Sequence, residues 1–200
     1  MEYFAHLLKD KRLKPILKSP FAPLEIQRKA PLRLIESIMG QQLSIRVAQV
    51  LKARFYQLCG RREPSLKKII SLEVDTLRSI GLSHAKASYI HNVARYCLKN
   101  KITDQKLQEM RSEDIITLLT DIKGVGRWTV EMLLMFSLGR EDIMPLDDLG
   151  IQQAMATLYH LDTKDKKSLK DNMIIISESW RPYRSYACLH LWDHKDNPLL

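Results

Sequence analysis

Asp121-Ile-Lys-Gly-Val-Gly-Arg-Trp-Thr-Val-Glu-Met-Leu-Leu-Met-Phe-Ser-Leu-Gly139, with the acidic pair Asp147-Asp148 beyond it, is the stretch on which the reading of this chain turns. Just before it, Ser112-Glu-Asp-Ile-Ile-Thr-Leu-Leu119 reads as a short amphipathic helix: Ser112 is placed to cap it, acids fill the first turn, and Ile115, Leu118 and Leu119 share a face. The pattern is helix, hairpin, helix. Gly124 and Gly126 have no Cβ, so the backbone can turn tightly and bring its N–H groups close to another polar surface. Those N–H groups open the second helix, where the dipole is positive, and they suit an anion such as a phosphate. The second helix is apolar nearly all round (Met132, Leu133, Leu134, Met135, Phe136), which predicts that it is buried and holds its exposed start rigidly. A glycine-rich link between two core helices would have the same spacing, so the hairpin alone leaves that alternative open.

The run Ile122-Lys-Gly-Val-Gly-Arg-Trp-Thr129, followed after a helix by Pro145-Leu-Asp-Asp-Leu-Gly-Ile151, resembles the helix-hairpin-helix and aspartate signature of the base-excision DNA glycosylases. Within that superfamily it is most similar to the alkylpurine (3-methyladenine II type) branch, in its short, yeast-like form. The end of the chain, Trp180-Arg-Pro-Tyr-Arg-Ser-Tyr-Ala187, is similar to that family's Trp-x-Pro-Trp-Arg-Ser-Tyr-Ala motif, with Tyr183 where a tryptophan is common. The resemblance implies two helical lobes flanking a DNA-binding cleft, as one unit over residues 1–200. The central lobe is expected at 31–120, and 1–30 with 121–200 form the lobe of the terminal segments.

Outward from the hairpin, the sequence shows no internal repeat and no long alternation of period two, which predicts an all-α protein. Short helices are expected at 2–9 and 13–18, and a longer one from Pro31, with Leu32, Leu34, Ile35, Ile38 and Met39 inward, until Gly40 ends it. Ser44 then caps a helix whose inner face is Val47, Ala48, Leu51, Phe55 and Leu58. Further helices are expected at 65–70, 73–80, 83–99 and 105–110, with Ile80-Gly-Leu-Ser83 a second glycine turn between helices. Tyr89, Ile90, Val93 and Cys97 read as core, and Lys86, Arg95 and Lys99 read as phosphate contacts or solvated charges. Beyond Asp148, helices are expected at 151–158, 169–178 and 182–192, although Met173-Ile-Ile-Ile176 has the propensity of a buried strand.

Gly40-Gln-Gln-Leu-Ser44 is an odd place for two long amides, which can simply satisfy exposed backbone at the turn. The resemblance gives them another role: Gln41, Gln42, Leu43 and Ser44 point into the DNA minor groove, and Gln42 fills the gap left by a flipped nucleotide. The same carry-over makes Lys123, Gly124, Val125, Gly126, Arg127 and Thr129 the phosphate-binding hairpin, gripping through N–H groups around Val125, Gly126 and Trp128. The main-chain carbonyls of Thr120, Ile122 and Val125 would hold a monovalent cation, Na⁺ or K⁺, with no other cofactor required.

Cutting an N-glycosidic bond puts positive charge on the sugar, and an ionised carboxylate near C1′ stabilises it. Asp148 matches the family's catalytic aspartate by its Asp-Leu-Gly-Ile context, while Asp147 is expected to be structural, as a cap of the following helix. Both acids acting only as caps is the alternative. Relatives that also nick the strand carry a lysine directly after Gly-Val-Gly-x, where its amine forms a Schiff base; here that residue is Trp128. The resemblance therefore implies a monofunctional enzyme in which water is the nucleophile. Alkylated purines are cationic and electron-poor, so an aromatic pocket binds them, and Trp128 and Trp192 match the family's pocket positions, with Tyr56 and Tyr159 as further candidates. Plain core packing is the alternative for each tryptophan.

The bulk composition agrees with a nucleic-acid partner. The chain has 200 residues, 45% hydrophobic, enough for a real core, and a formal net charge of +9, which favours a polyanion. No apolar run approaches the ~20 residues of a membrane span. The start, Met1-Glu-Tyr-Phe-Ala-His-Leu-Leu8, lacks the order of a secretory signal, so an intracellular protein is expected, cytoplasmic in a bacterium or nuclear in a eukaryote. Cys59, Cys97 and Cys188 are odd in number and far apart, which excludes the four-cysteine iron–sulfur cluster that some relatives carry. Of the six histidines only His190 and His194 have ligand spacing on one face, and they read as surface or core. The expected partner is duplex DNA with alkylated bases, met by a monomer. A non-catalytic helix-hairpin-helix binding module is the rival reading, and an enzyme for oxidised or mismatched bases a third, disfavoured by the missing lysine and cysteines.

Overall fold

The computed structural model describes residues 1–196 and is helical throughout. Its helices are α1 (Glu2–Leu7), α2 (Ala30–Gly40), α3 (Ile45–Leu58), α4 (Leu66–Ile70), α5 (Val74–Ser79) and α6 (His84–Lys99). They continue with α7 (Asp104–Glu109), α8 (Ser112–Thr120), α9 (Arg127–Phe136), α10 (Leu149–Tyr159), α11 (Lys166–Ser177) and α12 (Arg184–Asp196). The helix expected at 13–18 shrinks to a single 3-10 turn, Lys14–Ile16. Strand pairing among the described residues is limited to one isolated bridge between Ile26 and Leu138.

Local signals set several helix starts. Ser44, Ser65, Ser83 and Thr103 each accept the N–H three residues on, and each such cap contributes about 1 kcal/mol. Ser112 departs from its expected role. It is the first residue of α8, and extended Arg111 stands at the cap without a side-chain bond to the helix. α2 is capped from a distance: the Asp104 carboxylate accepts from Lys29 N and Ala30 N, both at 2.7 Å.

The chain divides into two compact units, Glu25–Leu138 and Met1–Leu24 with Gly139–Leu200. In the inner unit α2 is the spine, packing on α3, α6 and α9, with Leu34, Ile35 and Ile38 fully buried. Burying side chains of this size stabilises by about 1.5–3 kcal/mol each. In the outer unit α10 packs on α12 and α11. There the Asp10 carboxylate accepts from Tyr159 OH (2.6 Å) and from Nε1 of the fully buried Trp180 (2.9 Å).

Two sequence expectations change here. The division falls after Leu138 and not at 120, because α9 packs against both α2 and α8 and so carries the hairpin into the inner unit. Helices α3 and α9 are also less covered than their apolar residues suggest. Leu51 and Phe55 are buried, but Val47 is 45% exposed; Leu133, Leu134 and Met135 are buried, but Phe136 is 41% exposed. The run at Met173 is helical, with Met173 inward and Ile174 and Ile175 exposed. No helix of the described residues is long and apolar enough to cross a membrane.

Candidate functional site

The hairpin between α8 and α9 uses its two glycines differently. Gly124 has φ +102°, and a Cβ built on it would run into the ring of Tyr89, so both conformation and packing demand glycine. Gly126 has an ordinary φ of −92° at the start of α9, and a Cβ there would meet nothing within 4 Å. That side of the turn is open to approach. Val125 N–H donates to Ile122 O at 2.9 Å and so lies inside the turn, contrary to its expected phosphate role. The N–H groups of Gly126 and Arg127 meet no acceptor among the described residues, as the first turn of a helix requires. One face of α6 fixes the hairpin: Tyr89 lies under Gly124, Asn92 Nδ2 donates to Lys123 O (3.1 Å), and Tyr96 OH donates to Leu118 O (3.0 Å).

The side chains around the turn divide between outward and structural. Lys123 is exposed. Arg127, expected among the phosphate-gripping residues, brackets α8 to α9 through Glu113 (2.8 Å) and the buried Glu131 (2.9 Å). Thr129 is buried, and its hydroxyl accepts from Gln41 Nε2 at 3.0 Å. Thr120 is the last residue of α8, where helix-end carbonyls are left without intrahelical donors, and Ile122 and Val125 follow it in the turn before α9. Ile122 O takes the Val125 N–H and keeps a second lone pair, and a main-chain carbonyl oxygen is the kind of donor a hard cation takes.

The Gly40–Leu43 turn follows α2. Leu43 N donates to Gly40 O at 3.2 Å, Gln41 has φ −51° and ψ 133°, and Gln42 has φ +58°. These are the angles of a type II turn, whose left-handed third position normally belongs to glycine or asparagine. Gln41 is an anchor, tied to Thr129 by its amide, whereas Gln42, Leu43 and Ser44 are exposed. Lys86 Nζ donates to Met39 O (3.0 Å) and Gln41 O (2.6 Å), and burial pulls its pKa below that of an ordinary lysine. Neither a phosphate contact nor a solvated charge describes it. Nothing in the sequence near Lys86 could have revealed this, since the turn it holds lies 45 residues earlier.

The outer unit carries the carboxylate. Asp148 is the N-cap of α10: its Oδ1 accepts from Ile151 N (2.8 Å) and from Trp192 Nε1 (3.0 Å). The capping expected of Asp147 thus belongs to Asp148, and Asp147 is ion-paired with Lys170. Gly150 lets α12 come close to this carboxylate, for its Cβ would stand 3.1 Å from Asp148 Oδ1, 3.3 Å from Trp192 Cδ1 and 3.4 Å from Lys195 Nζ. Trp192, expected as a pocket wall, also donates to Asp148, so that two donors hold the carboxylate at Oδ1. Two donors and a helix N-terminus place partial positive charge around Oδ1.

The remaining aromatic candidates separate. Trp128 is 36% exposed and shares a stripe of α9 with Met132 and Phe136; the latter two, with Ser37 and Gln27, line a hollow of about 420 Å³. The periodicity had put Met132 and Phe136 in the core. Tyr56 OH donates to Glu36 and Tyr159 OH to Asp10; burial is the larger cause, and the acceptor the second, that pushes both phenols well above the usual tyrosine range. Both hydroxyls are thus bonded to carboxylates. His190 is core, packed against Tyr3, Phe4 and Phe21, and burial takes its pKa down to about 4.

Residues 35–182 match the model of the HhH-GPD superfamily of base excision DNA repair proteins. The chain is 36% identical over 165 residues to YfjP of Bacillus subtilis, covering 80% of this chain and 56% of that one. It is 34% identical over 170 residues to DNA-3-methyladenine glycosylase 1 of Schizosaccharomyces pombe, covering 84% of this chain and 73% of that one. Among solved structures, the Schizosaccharomyces pombe 3-methyladenine DNA glycosylase Mag1 in complex with abasic DNA superposes with a TM-score of 0.86 at 28% identity, over 99% of this chain and 98% of that one.

Proposed function

The chain belongs to the HhH-GPD superfamily of base excision DNA repair proteins, and from that premise we propose that it is a monofunctional DNA glycosylase that flips alkylated purines, such as 3-methyladenine and 7-methylguanine, out of duplex DNA and hydrolyses the N-glycosidic bond. The observation that carries this reading is the Asp148 carboxylate, fixed through Oδ1 by Ile151 N–H and Trp192 Nε1–H. As the bond to the base lengthens, positive charge builds at C1′ and the fixed carboxylate stabilises it without reorganising. Water then attacks C1′ and leaves an abasic site. A residue without an amine, Trp128, follows Gly-Val-Gly-Arg, so no Schiff base forms and the strand stays intact.

The inner unit supplies the binding. Gly126 and Arg127 N–H groups, with exposed Lys123 nearby in sequence, receive a backbone phosphate. A monovalent cation on the Thr120, Ile122 and Val125 carbonyls would add charge beside that phosphate. Gln42 and Leu43 enter the minor groove and fill the gap left by the flipped nucleotide. The exposed rings of Trp128 and Phe136, with half-buried Met132 between them, offer a cationic purine an aromatic and polarisable face. The net charge of +9 favours duplex DNA as the partner of a monomer working inside the cell, in bacterial cytoplasm or a eukaryotic nucleus.

One observation favours the rival reading, a non-catalytic module: Asp148 does cap α10. Duplex DNA methylated with a radiolabelled methyl group separates the two. The enzyme releases free methylated purine and leaves alkali-labile sites without direct strand breaks. Binding without released base would support the module, and direct breaks would contradict a monofunctional enzyme.

A further inference from the structure

We propose that Lys86 is a positioning residue for the DNA-probing turn, locking the Gln41–Gln42 peptide in the orientation that presents Gln42 outward; this rests on the wedge role given to Gln42 above. The turn has two available states. Types I and II differ by a flip of the central peptide, and a residue other than glycine at the third position prefers type I, where its φ is negative. Gln42 nevertheless has φ +58°, a left-handed conformation that costs a residue with a Cβ about 1–2 kcal/mol. Such strain persists only where the surroundings over-determine it.

The over-determination is visible at the Gln41 carbonyl. The flip to type I would turn that oxygen to the other side of the chain, and Lys86 Nζ holds it at 2.6 Å. The same ammonium holds Met39 O at 3.0 Å, so one cation clamps both sides of Gly40 at the C-terminal end of α2, where the dipole is negative. The Gln41 amide, bonded to Thr129 Oγ1, ties the side chain of that residue but not its carbonyl. The lysine is also not isolated on its helix. Lys86, Tyr89, Asn92 and Tyr96 follow one face of α6, the first touching the Gln-Gln turn and the other three the Gly-Val-Gly hairpin and the end of α8. Within the inner unit, a single helix thus fixes both turns.

The test compares Lys86→Met, Gln42→Ala and the double variant in the full chain. Affinity is measured for a duplex with a central abasic-site analogue and for an intact duplex, and 2-aminopurine beside the site reports insertion. If Lys86 acts through Gln42, each single change lowers the preference for the abasic duplex and the fluorescence response about tenfold. The double variant then loses about tenfold as well, and not the hundredfold of independent sites. Lys86→Gln, which keeps a neutral donor, retains part of the preference, and it carries the comparison if Lys86→Met does not fold. Multiplying losses, or a Lys86 variant with unchanged preference, overturns the proposal. A wild-type protein with no preference for the abasic duplex overturns the wedge reading beneath it, and that result is visible before any variant is made.

Discussion

Two tight turns of the inner unit, the hairpin and the Gly40–Leu43 turn, each place a residue in the left-handed region, and they reach it by opposite means. In the hairpin the residue is Gly124, which adopts φ +102° without steric cost and leaves room for Tyr89 to lie beneath it. In the other turn the residue is Gln42, whose φ of +58° is imposed by contacts from α6. The first turn is specified by its own residues, the second by its neighbours. A turn specified locally resists change at its glycine; a turn specified by neighbours stores strain that a substitution can release.

Substitution at each position puts this contrast to the test. Gly124→Ala combines a left-handed alanine with a methyl group inside the Tyr89 ring, and is expected to destabilise by about 3 kcal/mol or more. Calorimetry should show the melting temperature falling by roughly 6–12 °C for a chain of this size. A fall below about 2 °C would mean the ring moves aside and the hairpin is not packed as described. Gln42→Gly has the opposite sign: relief of strain raises stability by about 1 kcal/mol, offset in part by glycine's greater unfolded-state freedom, while affinity for abasic duplex falls. Lost stability there would remove the claim of strain. Gly126→Ala changes stability least, by about 0.5–1 kcal/mol from the weaker cap, since its Cβ meets nothing. Its effect should appear in binding, as a fall of several-fold in duplex affinity read by fluorescence anisotropy. Unchanged affinity would separate the phosphate from this turn.

The same contrast explains what the sequence could and could not disclose. Signals carried within a few residues were readable: the Ser44 cap of α3, the buried face of α2, and the Gly-Val-Gly turn itself. Contacts made over long chain separations were not. Lys86 looks like any surface lysine until α6 is laid beside the end of α2, and Trp192 looks like a pocket wall until its indole is seen to donate to Asp148. Periodicity identifies which residues are apolar and not which become covered, so Val47 and Phe136 were assigned inward and are exposed. The division after Leu138 was hidden for a similar reason: it depends on which neighbours α9 chooses. Between Asp147 and Asp148, the choice of cap followed from one extended residue and one ion pair with Lys170, neither of which the dipeptide encodes.

The central claim is that the charge of Asp148 drives base release, and Asp148→Asn tests it most directly. Asparagine caps helices about as well as aspartate, so α10 and the melting temperature should be preserved while the negative charge is lost. In single-turnover release of 3-methyladenine from methylated duplex, the variant is expected to be slower by at least about a hundredfold at equal DNA affinity. Release at the wild-type rate would contradict the account, leaving residue 148 a helix cap and nothing more.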